Sequence, residues 1–113
     1  MPFDGTPRPQ ASTENIRHAY EMLVRLEQFF DGGRNWCKGD LRDGHGSFCL
    51  IGALDHLRCD DLTLRYLVRV ARARHERCPF GHPVIAEMND RCSDFEELCD
   101  CLGEARALAV AEL

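Results

Sequence analysis

The chain has 113 residues, close to one domain by length, with 44% apolar and 29% charged residues and a formal charge of -5 at pH 7. That composition excludes collagen-like, low-complexity and wholly disordered chains, and the acidic balance argues against a general nucleic-acid binder. No run approaches the ~18 apolar residues of a membrane span, and the first residues lack a basic-then-apolar signal pattern, so a cytoplasmic protein without membrane contact is expected.

Residues 1–11 carry three prolines and few large apolar groups and read as a flexible arm; residues 12–113 read as a single domain. Ser12 or Thr13 can cap a first helix, along which Ile16, Ala19, Tyr20, Leu23, Leu26 and Phe30 form one apolar stripe. Asp31-Gly32-Gly33 stops it. Met22, Val24 and Phe29 fall off the stripe, toward a second internal neighbour or another subunit.

A polar, glycine-punctuated loop follows from Arg34 to Gly46, with turn signals at Asp43-Gly44 and Gly46. Ser47 is the expected cap of a short helix through Leu57, apolar on nearly all sides and so placed in the middle of the fold. Gly52 inside it costs about 1 kcal/mol against alanine and implies a close neighbour.

Asp60 or Asp61 opens a third helix to about Arg77, with Leu64, Leu67, Val68, Val70 and Ala71 as core positions and Cys78-Pro79 as its stop. Pro83 can open a short helix through Met88. After Asn89-Asp90, Ser93 and Glu96 read as a capping box for a last helix with Phe95, Leu98, Leu102, Ala105 and Ala109 as its core stripe. No strand pattern competes. The expected fold is all-α, a single compact domain of four to five helices with one long glycine-rich loop.

The seven cysteines are Cys37, Cys49, Cys59, Cys78, Cys92, Cys99 and Cys101. Their odd number, the lack of a CxxC pair and the lack of a secretory signal point to free thiols, several of them filling core space.

Trp36-Cys37-Lys38-Gly39, then Leu41-Arg42-Asp43-Gly44, Cys49-Leu50-Ile51-Gly52-Ala53-Leu54 and Ile85-Ala86-Glu87-Met88-Asn89-Asp90 occur in that order. Together they resemble a family of small bacterial and phage proteins grouped as a domain of unknown function. Its pattern is W-x-x-G, A-R-D, C-L-x-G-A-L and I-x-x-W-N-D, matched over roughly residues 13 to 110. Met88 stands where the family has tryptophan before Asn-Asp, and Leu41 where it has alanine before Arg-Asp. The resemblance implies no activity, but it directs attention to Trp36, Gly39, Arg42, Asp43, Cys49, Gly52, Asn89 and Asp90.

The favoured reading of those residues is structural. Trp36 closes a core with its indole N–H on a carbonyl, Asn89 and Asp90 satisfy backbone groups between two helices, and Arg42 pairs with an aspartate. A catalytic reading makes Cys49 a helix-start nucleophile with His45 as base and Asn89 or Asp90 orienting it; His56 lies about two turns away along the same helix. A metal reading gathers His75, Cys78 and His82 with Cys92 or Cys59 into a four-ligand zinc site, the one cofactor the sequence admits. Arg58, Arg65, Arg69 and Arg72 make a basic stripe that either exchanges ion pairs with the acidic last helix or meets a phosphate, a nucleic-acid backbone or an acidic partner.

The expectation is a binding module for a protein partner or for itself, a regulator or inhibitor in a host or phage system, more plausibly than an enzyme. Second comes a ligand pocket or cysteine-dependent enzyme between the Trp36–Asp43 loop and Asn89-Asp90, and third a zinc-stapled module.

Overall fold

A computed structural model describes residues 12–38, 46–75 and 84–113. The described residues form five helices: α1 (Thr13–Phe29), α2 (Leu50–His56), α3 (Asp61–Arg74), α4 (Val84–Arg91) and α5 (Phe95–Ala111). The only β pairing among them is an isolated parallel bridge between Trp36 and Phe48. The all-α architecture is as the periodicity predicts. The arm 1–11 and the calls on Gly39, Leu41, Arg42, Asp43, Gly44, His45, Arg77, Cys78, Pro79, His82 and Pro83 lie outside the described residues.

Two helix starts have the local cause read from the sequence. Ser12 Oγ accepts from the Asn15 N–H at 3.1 Å, and the Asp60 carboxylate accepts from the Thr63 N–H at 3.0 Å, so the expected caps of α1 and α3 hold. Three consecutive residues of positive φ, Asp31, Gly32 and Gly33, turn the chain after α1. Gly33 is required twice over: its φ is +98°, and a Cβ there would stand 2.9 Å from Phe95 Cβ.

Two helix starts differ from expectation. α2 begins at Leu50 with Cys49 as its cap, not Ser47, because residues up to Phe48 run extended against the Trp36 segment. Phe48 N–H donates to Asn35 C=O, and Cys37 N–H donates to Phe48 C=O. α5 is capped by Asp94, which accepts from the Glu97 N–H at 2.9 Å, while Glu97 reaches back to the Ser93 N–H at 2.8 Å. The reciprocal device sits one residue later than the Ser93/Glu96 reading, since the Asp94 carboxylate is the stronger acceptor. α3 ends at Arg74, before Arg77.

α5 packs between α1 and α3; α4 lies on α3, and α2 bridges α1 and α4. All five helices feed one core, in which Leu23, Leu26, Phe30, Leu50, Tyr66, Leu67, Met88, Leu98 and Leu102 are fully buried. Each such side chain contributes about 2 kcal/mol of burial free energy. Met22 is buried, and Phe29 rests on Phe48 at 5.1 Å and on His56 at 5.2 Å, so the internal neighbour of Phe29 is the α2 segment. Val24 and Tyr20 are half-buried. α2 buries Leu50, Ala53 and Leu54 and exposes Asp55 and His56, so it is one-sided rather than enclosed.

α3 turns Leu67, Val70 and Ala71 inward as the sequence reading has it, and adds Thr63 and Tyr66 to them. Thr63, Tyr66, Leu67, Val70 and Ala71 are buried, whereas Leu64 and Val68 are half-buried on its outer side. Thr63 can turn inward because its hydroxyl donates to Asp60 at 2.6 Å, and Tyr66 because its hydroxyl donates to Glu112 at 2.6 Å.

Candidate functional site

Asn89 is not between helices but in the last turn of α4, where it is fully buried. Its Oδ1 accepts from Trp36 Nε1–H at 2.7 Å and from the Leu50 N–H at 3.0 Å. Its Nδ2 donates to Cys37 C=O at 3.1 Å and to Asp90 Oδ1 at 3.2 Å. The two acceptor and two donor positions of the amide are therefore all used. Leu50 opens α2, so its N–H has no partner inside the helix; Asn89 supplies one from 39 positions away. Lys38 Nζ donates to the Cys92 carbonyl just past α4 at 3.0 Å, where a cation is favoured at a helix C-terminus. Trp36 lies 5.9 Å from the Phe95 ring.

These contacts tie the Trp36 segment, α2 and α4 into one knot. Trp36 and Asn89, singled out in the sequence, meet there directly, and Asp90 is exposed beside them with its oxygen engaged by Asn89. With its hydrogen-bonding capacity filled, Asn89 has nothing left to offer a ligand. Cys49 is 5% exposed, and its sulfur accepts from the Gly52 N–H at 3.5 Å, as a cap does. His56 is exposed and stacks on Phe29 and Phe48.

Of the metal candidates, His75, Cys92 and Cys59 are described. Burial, reinforced by Arg91 and Arg74, pushes the His75 imidazole below its usual range. Cys59 stands before α3 and His75 after it, about 21 Å apart by helix rise, so Cys59 cannot share an ion with His75. Burial pushes the Cys59 thiol up to about 11, helped by Asp60 and opposed by Arg25. No group of three or more His, Cys, Asp or Glu among the described residues could hold a metal.

The basic stripe divides. Arg58 is not on α3; it takes a positive φ of 55° in the turn after α2. Of the stripe, Arg69 reaches Glu112 at 3.1 Å; Arg74, which the stripe did not include, forks onto Glu104, its Nε donating at 3.1 Å. Arg65 and Arg72 have no anionic partner among the described residues. They share one face with Asp61, Leu64, Val68 and Arg69, over a shallow depression of about 410 Å³. The sequence reading missed Leu64 and Val68 as members of this face, although each is followed directly by an arginine. A larger depression, about 560 Å³, lies over α5, and its Arg74–Glu104 and Arg106–Glu27 charges are mutually paired.

No helix among the described residues is long and apolar enough to cross a membrane. No curated protein and no solved structure matches this chain. Residues 7–108 match a family of unknown function, DUF6197, and this order of loop, short helix and capped last helix spans that match: the chain belongs to that family.

Proposed function

We propose that the protein acts as a binding module whose outer α3 face receives an acidic, amphipathic helix of a partner protein. The carrying observation is that face: Leu64 and Val68 one turn apart, half-exposed, with Arg65 and Arg72 beside them and unpaired among the described residues. An amphipathic helix laid along such a stripe covers the apolar pair and sets its carboxylates against the guanidinium groups. The larger depression on α5 has its arginines already paired and keeps the exposed Asp100 carboxylate at its edge, so it does not favour an acidic partner.

Charge also separates the other occupants. A two-fold contact of this face with a second copy sets Arg65 and Arg72 against their own copies, with Arg69 held by Glu112 and Asp61 as the acid of the lining. A nucleic-acid backbone has to approach a chain of net charge -5. The small area fits a transient contact with fast, salt-sensitive association.

The test is fluorescence anisotropy with a labelled synthetic helix carrying leucines one turn apart and flanking glutamates, its lysine-flanked counterpart, and a short DNA duplex. The acidic helix binds, more weakly as salt rises, and the R65E/R72E variant reverses the preference toward the lysine helix. Binding of neither helix, or preferential binding of the duplex, overturns the reading. A dimer in sedimentation that R65E/R72E strengthens would assign the face to a second copy instead.

A further inference from the structure

The outer face of α3 changes sign along its length. Asp61 stands exposed in the first turn, with no ion pair among the described residues. Arg65 and Arg72 follow on the same face, and Arg69 between them has its charge met by Glu112 at 3.1 Å. Uncompensated charge thus runs from one carboxylate to two guanidinium groups, with Asp61 and Arg72 about 16 Å apart by helix rise. Leu64 and Val68 lie alongside this series.

We infer that the face selects direction as well as sign: the partner helix lies antiparallel to α3, with carboxylates in its first two turns toward Arg72 and Arg65 and a lysine or arginine in its last turn toward Asp61. The inference rests on the α3 docking reading and adds the partner's polarity to it. Two arrangements set acids on the arginines and a base on Asp61. In the antiparallel one the acids occupy the partner's N-terminal turns and the base its C-terminal turn, where the macrodipole of that helix favours each of them. In the parallel one the acids fall at its C-terminus and the base at its N-terminus, and both ends oppose the dipole. The dipoles of the two helices also oppose one another in the first arrangement and align in the second. Asp61 is itself favoured as an anion in the first turn of α3, so a helix acidic along its whole length meets like charge at that end.

The test uses a synthetic helix of ~15 residues, long enough to span the face, with leucines one turn apart, glutamates in its first two turns and a lysine in its last. One version carries benzoylphenylalanine at its first residue, another at its last. Fluorescence anisotropy reads the binding of each to the full-length chain, and irradiation then fixes where the labelled end lies. The first-residue label should crosslink to residues 70–74 and the last-residue label to residues 59–65. These crosslinks are read on the wild-type chain and need no variant to fold. Asp61→Lys should weaken the lysine-ended helix about two- to fivefold and tighten a glutamate-ended version by a similar factor. Crosslinks in the opposite sense, or affinities that Asp61→Lys leaves unchanged, overturn the direction while the docking reading stands. An anisotropy that changes with neither version overturns the docking reading, and the direction with it.

Discussion

At Asn89 four hydrogen bonds converge on one fully buried amide, whereas along α3 two arginines stand at the surface with no ion pair among the described residues. Both places set polar groups against apolar ones, and they use them in opposite ways. A buried polar group costs several kcal/mol unless every position finds a partner, so the knot has committed its chemistry to the fold. An exposed guanidinium is stabilised by water at no such cost and keeps its charge available for a partner. Pairing, more than residue type, separates a structural asparagine from a candidate binding arginine.

The comparison is broken most severely at its buried end. Asn89→Ala strands the Leu50 N–H and the Trp36 indole N–H and opens a void, and urea denaturation should record a loss of about 3 kcal/mol. A loss near zero would mean that the knot holds nothing. Gly33→Ala, which forces a Cβ onto Phe95 beside that knot, should cost about 2 kcal/mol, against about 1 kcal/mol for Gly32→Ala, where φ is +66° but the space is open. Equal costs would show that backbone conformation, not the Phe95 contact, sets the requirement.

The inner side of α3 gives a pH test. Burial, then the hydrogen bond to Glu112, pushes the Tyr66 hydroxyl from 10.0 up to about 12. The folded value lies above the unfolded one, so this contribution is intact below pH 10 and is lost as pH rises toward 12. Stability of the wild-type chain should fall across that window more steeply than that of Tyr66→Phe, measured by denaturation at each pH. Parallel curves would remove Tyr66 from the account. The smallest effect belongs to the outer face: Arg65→Ala with Arg72→Ala should leave stability within about 0.5 kcal/mol of wild type. A larger loss would mean these arginines serve the fold after all.

Sequence made the helices legible where one signal acted locally. Ser12 and Asp60 cap as their type and position suggest, and the stripes of α1 and α5 run inward almost as written. It failed where a distant partner decided. Ser47 is as good a cap by type as Ser12, yet the bridge from Phe48 to Trp36 delays α2 until Cys49. Leu64 and Val68 match core positions by hydropathy and reach only the core's margin, while Thr63 and Tyr66 join Leu67, Val70 and Ala71 inside because their hydroxyls find Asp60 and Glu112. The indole N–H bond of Trp36 to a carbonyl was legible as a type of contact. That the carbonyl would be the side chain of Asn89, which also serves Leu50, was not, because nothing local links residues so far apart.

Trp36 is the chain's one tryptophan, and its ring sits where the loop meets α4 and α5. Intrinsic emission therefore reports a single joint, while far-ultraviolet circular dichroism sums over all the helices. Melts that coincide in the two signals would mark an all-or-none transition. Emission that shifts first would show the joint parting while the helices persist, so the molecule carries an optical label on the junction of the Trp36 segment with α4 and α5.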